Sequence, residues 1–114
     1  MKRFAANKIY LSEESYSSNA YLQVGQDGRV ERIASLNDEQ ECHSTPFYNG
    51  LILPFAVERV AAFRPKPLKE VIGELFQKRE ISEGDLVEGL TLVYGKNVLV
   101  DPDDDAWACR SLRF

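Results

Sequence analysis

The sequence predicts an α+β domain, mostly antiparallel β in the form of a sandwich or a small barrel-like sheet, with one clear amphipathic helix laid on it. Three stretches carry that expectation. Residues 20–34 run Ala-Tyr-Leu-Gln-Val, then Gln26-Asp27-Gly28, then an alternation of polar and apolar side chains, which is the pattern of a hairpin. Residues 47–54 hold the apolar run Leu51-Ile52-Leu53 between Asn49-Gly50, read as a turn signal, and Pro54. Proline has no amide hydrogen to give a ladder, so a buried strand ends there. Leu68, Val71, Ile72, Leu75 and Phe76 then fall at i, i+3, i+4, i+7 and i+8, opposite Lys69, Glu70, Glu74, Gln77 and Lys78. That spacing gives one apolar stripe on a helix, suited to covering a sheet.

With 114 residues the chain is expected to form a single domain, residues 1–114. A chain of this length buries roughly two thirds of its unfolded surface without metals or disulfides as staples. The 14 basic and 18 acidic side chains leave a net charge of −4, which argues against nucleic acid as a partner. No apolar run approaches the ~20 residues of a membrane span, and Met1-Lys2-Arg3-Phe4 leads into polar Asn7 and Lys8 rather than a signal-peptide core. The expectation is a cytoplasmic protein with no membrane partner.

Taken in order, residues 4–11 read as an opening or edge strand, with Phe4, Ala6 and Ile9 or Tyr10 as candidates for burial. Residues 12–18, with four serines and two glutamates, read as a loop. The hairpin of residues 20–34 follows. Residues 37–44 are polar and read as a surface connection holding Cys42 and the single histidine, His43. Adjacent side chains on extended backbone point to opposite faces, and zinc needs three or four converging ligands, so no metal site is expected there. Cys42 and Cys109 lack any Cys-x-x-Cys or dense-cysteine framework and are read as ordinary thiols.

Residues 57–63 fit either a helical turn or a strand. Arg64-Pro65-Lys66-Pro67 is a breaker, with Pro67 suited to the first position of the helix that carries the apolar stripe. Ser82-Glu83-Gly84-Asp85 resembles a helix start, but Gly84 and Gly89 would weaken so short a helix by roughly 1 kcal/mol each. Residues 90–94 and 97–100 read as two strands around Gly95-Lys96, and residues 107–114 as a closing strand.

Two of these stretches carry a resemblance to a known family. Val24-Gly25-Gln26-Asp27-Gly28-Arg29-Val30-Glu31-Arg32-Ile33, followed at the right distance by Phe47-Tyr48-Asn49-Gly50-Leu51-Ile52-Leu53-Pro54-Phe55-Ala56-Val57, resembles the N-terminal accessory (composite) β domain of amidohydrolase-superfamily metal-dependent hydrolases. Residues 86–92 are loosely similar to the barrel helix that precedes the returning strands of that domain. The family's strand continues into a His-x-His metal motif, and alignment on Pro54 puts Val60 and Ala62 at the two histidine positions. Both are aliphatic, and the family's (β/α)₈ barrel of roughly 250 residues does not fit in this chain. The resemblance therefore implies an accessory domain without the metal, the cofactor or the hydrolysis.

Three other constellations bear on chemistry. Asp101-x-Asp103-x-Asp105 begins like a calcium loop, yet Ala106 stands where the sharp turn needs Gly and Leu112 where the bidentate Glu belongs. Arg59, Arg64 and Lys66 place three cations around an apolar strip and are the candidate anion contact, against the plainer reading of a solvated surface run. With one histidine as base, no Ser-His-Asp or Cys-His set is located by spacing, so no catalytic residue is assigned. Two functions stand: a noncatalytic binding or interaction module, and a small enzyme whose pocket is not readable from sequence. For the first, a sheet without its barrel leaves apolar surface and strand edges, such as residues 4–11 or 108–114, to a second copy or another protein partner.

Overall fold

The computed structural model describes residues 2–36, 45–100 and 106–112. Cys42, His43, Asp101, Asp103 and Asp105 lie outside the described residues. Among the described residues six strands and two helices are formed: β1 (Lys2–Tyr10), β2 (Tyr16–Val24), β3 (Val30–Ser35), β4 (Phe47–Leu53), α1 (Val57–Ala61), α2 (Leu68–Phe76), β5 (Leu90–Tyr94) and β6 (Ala108–Leu112). The α+β class, the mostly antiparallel sheet and the hairpin of β2 and β3 are as expected. The sheet is one continuous layer in the order β3-β2-β1-β4-β5-β6, with every neighbour antiparallel except β1 and β4. β1 is therefore an interior strand, not the edge that its mixed composition suggested. Residues 16–18, read as loop, extend β2, where Ser17 and Ser18 pair with Ile9 and Lys8.

Asn49-Gly50 makes no turn. Between the pairs Ala6↔Tyr48 and Lys8↔Leu51 the register slips, so β4 carries an extra residue there. Gly50 adopts φ +143°, and a Cβ on it would run into the Val93 carbonyl. Its amide hydrogen goes to the Asn7 side-chain oxygen at 2.9 Å. A bulge and a tight hairpin both ask for positive φ, which is why the dipeptide is ambiguous in sequence.

Both faces of the sheet are buried. On one, Phe4, Ala6, Ala20, Leu22, Val24, Ile52, Leu90, Leu92 and Leu112 form a core contributed by the strands themselves, joined by Val87. On the other, Leu51, Leu53 and Val93 meet the α2 stripe of Leu68, Val71, Ile72, Leu75 and Phe76, together with Phe55, Val60 and Trp107. This explains the unbroken run Leu51-Ile52-Leu53: successive side chains serve opposite cores. Pro67 stands at the N-cap, just before the first helical residue. α2 ends as Gln77 and Lys78 both take left-handed conformations, with φ of 49° and 65°.

The sheet curls over the strand-built core. Leu86 is bridged to Arg29 outside β3, and only four residues later Leu90 opens β5. Four residues reach at most ~14 Å, whereas five strand spacings in a flat sheet would separate those points by ~24 Å. Curvature closes the gap, and Val87 in that short connection enters the core it crosses.

Two further expectations are corrected. Residues 82–89 form no helix; they run irregularly beside β3, with Gly84 at φ +94°. Residues 97–100 form no strand either, but turns closed by Val98 N–H to the Gly95 carbonyl and Val100 N–H to the Asn97 carbonyl. β5 already has β4 and β6 on its two sides, and Val98 is buried in the helix-side core instead. Residues 57–63, left open, contain α1.

Candidate functional site

The two positions that the resemblance aligns with metal ligands, Val60 and Ala62, fall in α1 and at its C-cap, beyond the exit from β4. Phe55 N–H bonds the Leu53 carbonyl at 2.9 Å, and the Phe55 carbonyl accepts from the buried Thr91 hydroxyl at 2.7 Å, which fixes the exit from the strand. α1 follows at once. Its Val60 is fully buried among Leu68, Val71 and Trp107, and Ala62 is exposed at the helix C-cap. A side chain at the first position packs the core, while one at the second faces solvent. Neither carries a lone pair, and among the described residues no group of three or more His, Cys, Asp or Glu side chains converges.

The three cations singled out in the sequence are each engaged by a different partner. Arg59 meets Glu88 at 2.8 Å and lies 5.3 Å from the Phe55 ring centroid. Arg64 lies 5.6 Å from the Trp107 ring, and Lys66 Nζ stands 3.7 Å from Glu74 and 5.8 Å from the Phe63 ring. The Lys66 carbonyl also takes the Trp107 indole hydrogen at 2.8 Å. These contacts pin the turn after α1 onto the start of β6. An aromatic ring beside a cation contributes about 0.5–1 kcal/mol at exposed sites, so the arrangement is accounted for by packing the turn.

Two other places matter more, the first of which shares Arg59 with that cluster. The first is a depression of about 220 Å³ between α1 and the chain after α2, with Phe55 and Val87 in its floor and Arg59, Arg79, Leu86 and Glu88 around it. Arg79 had no sequence signal, because a lone arginine in a mixed-charge run looks like any solvated surface residue. The second is the contrast between the sheet edges. Outside β3, the Gly84 N–H bonds the Val30 carbonyl at 2.7 Å, the Val30 N–H bonds the Asp85 carbonyl at 2.8 Å, and Glu83 accepts from the Ile33 N–H at 3.4 Å. Outside β6, among the described residues, no main-chain group finds such a partner.

Among the described residues two titrating groups shift. Burial pushes the Cys109 thiol up, and the nearby Arg64 guanidinium partly offsets this. Burial, reinforced by Tyr16, likewise pushes the Tyr10 hydroxyl up. Both shifts favour the neutral form, the opposite of what activates a nucleophile. No family model matches the chain, and no curated protein or solved structure does.

Proposed function

We propose that this protein is a noncatalytic interaction module, similar to an amidohydrolase accessory domain without its barrel, that assembles as a two-fold homodimer along β6. The observation that carries the reading is the asymmetry of the sheet: the chain caps β3 with its own residues 83–85 and leaves β6 uncapped among the described residues. An uncapped edge presents a row of donors and acceptors at the spacing another strand needs. Ala108–Leu112 holds no proline or lysine, and its one charged side chain is the exposed Arg110. Closed two-fold pairing satisfies both copies and leaves no edge to propagate.

The amidohydrolase likeness is supported by the hairpin of β2 and β3 and by the strand that ends at Pro54, both formed where the sequence motifs lie. Val60 and Ala62 at the ligand positions support the absence of metal hydrolysis. The test is light scattering at tens of micromolar, with a mass near twice the 12.9 kDa of the chain expected. Ser111→Lys, an exposed position on β6, should return the protein to monomer without unfolding it. A wild-type monomer at that concentration would refute the assembly.

A further inference from the structure

We propose that the depression between α1 and the segment after α2 is a binding site for a small monocarboxylate with an apolar body, its charged end held by Arg79. The cavity of about 220 Å³ has the volume of about seven water molecules in the liquid, enough for a ring or a short aliphatic chain bearing one acid group. Its floor is apolar, made by Phe55 and Val87, which are 4% and 5% exposed, and Leu86 at its rim is 63% exposed. A large aliphatic side chain standing in water beside an apolar floor loses solvent-exposed surface as soon as an apolar body enters.

The charge around the cavity selects a monoanion. Glu88 is neutralised by Arg59 at 2.8 Å, so the net charge of the lining is that of Arg79 alone. Arg3, Arg29, Arg59, Arg64 and Arg110 each meet a carboxylate, a carboxamide or an aromatic ring. Arg79 gives only its Nε hydrogen to the Phe76 carbonyl at 3.4 Å, and its two terminal nitrogens meet no protein acceptor among the described residues. Its backbone is nevertheless anchored: the Arg79 N–H bonds the Phe76 carbonyl at 2.9 Å, and two residues on, the Ile81 N–H bonds the Leu11 carbonyl at 2.7 Å.

The two left-handed residues before it, Gln77 and Lys78, turn the chain so that it borders the cavity. Arg79 also borders the two adjoining hollows that Glu80 lines, yet among the described residues no acid takes its fork, and Asp85 receives the Ser82 N–H at 2.8 Å. A planar guanidinium with two vacant terminal nitrogens matches a carboxylate in a two-point contact, and a single net positive charge suits a monoanion better than a phosphate dianion.

The test is a titration of the intact protein with phenylacetate, read by NMR at the amides and methyls of Ile81, Leu86 and Val87. Saturable shifts are expected with a dissociation constant on the order of 1 mM, the strength of one exposed charged fork plus one small apolar body. Phenylacetamide, which keeps the ring and loses the charge, should bind at least about tenfold more weakly, and so should phenylacetate to Arg79→Gln. Arg79→Lys, retaining the charge but not the fork, should fall between. Shifts that do not saturate by tens of millimolar, equal binding of acid and amide, or unchanged binding by Arg79→Gln would each overturn the assignment.

Discussion

β3 and β6 close the same sheet at opposite ends, yet the chain treats them differently. β3 is sealed by main-chain hydrogen bonds from residues 84 and 85 and by the Glu83 carboxylate. β6 is supported from below, by helices packed on the face that Leu53, Val93 and Trp107 share, and has no lateral cover among the described residues. The lesson is that burial of a strand's side chains and satisfaction of its backbone are separate problems. β6 buries Leu112 and partly buries Ala108 and Cys109 within one chain, and a second copy would satisfy its backbone.

Breaking the support of the β6 half should have the largest effect. Leu75→Ala or Phe76→Ala empties a site with no exposed surface beneath β4 and β5 and is expected to cost about 2–5 kcal/mol. Urea denaturation would show it, and a loss below about 1 kcal/mol in both variants would mean that the α2 stripe is not packed as core.

Opening the sealed edge should cost less. The Asp85 carboxylate takes the Ser82 N–H at 2.8 Å and so holds the turn that presents residues 84 and 85 to β3. Asp85→Ala is expected to lose about 1 kcal/mol, the usual loss for a side chain that caps main-chain donors. It should also make β3 sticky, with association growing with concentration by sedimentation. An unchanged melt and unchanged sedimentation would show that the cap does not depend on this turn.

The comparison also explains what was legible in the sequence. The α2 stripe and the β2–β3 hairpin were readable because their periodicity and turn lie within a few residues of each other. The bulge at Asn49-Gly50 was not, because its need for glycine comes from Val93 and its satisfied amide from Asn7, both distant in sequence. The expected strand at residues 97–100 failed for a similar reason: Val98 and Leu99 have β propensity, but the place beside β5 is taken by β6. The cap on β3 depends on residues 83–85, whose local composition suggested a helix start. At the candidate site, Arg59, Arg64 and Lys66 read as one cluster by spacing, while the fold hands each a separate partner, and Arg79 leaves no pattern at all.

A smaller effect is expected at the end of α2. Gln77 holds a left-handed conformation at φ 49° as the C-cap, a role that glycine fills without a Cβ penalty. Gln77→Gly should stabilise the domain by a few tenths of a kcal/mol, the relief of strain being partly offset by the greater freedom of the unfolded chain. A net loss in thermal melts would mean that the Gln77 side chain makes a contact worth more than the strain.

The finest probe is Cys109, which lies on β6 itself. Because burial raises its pKa, less thiolate is present at any given pH, and in a Cys42→Ser background alkylation at pH 8 should run slower than in the urea-unfolded chain. Dimerisation along β6 should slow it further as protein concentration rises. A rate equal to that of the unfolded chain would contradict the burial.

Hydrogen exchange at the amides of the two edges, followed across protein concentration, separates an edge sealed within one chain from an edge sealed by a second copy. The Val30 amide, bonded to the Asp85 carbonyl within one chain, should be protected equally at low and high concentration. The outward-facing amides of Ala108–Leu112 should be protected only when the protein is concentrated enough to pair. Exchange in β6 that is independent of concentration, or protection in β3 that depends on it, would contradict the account.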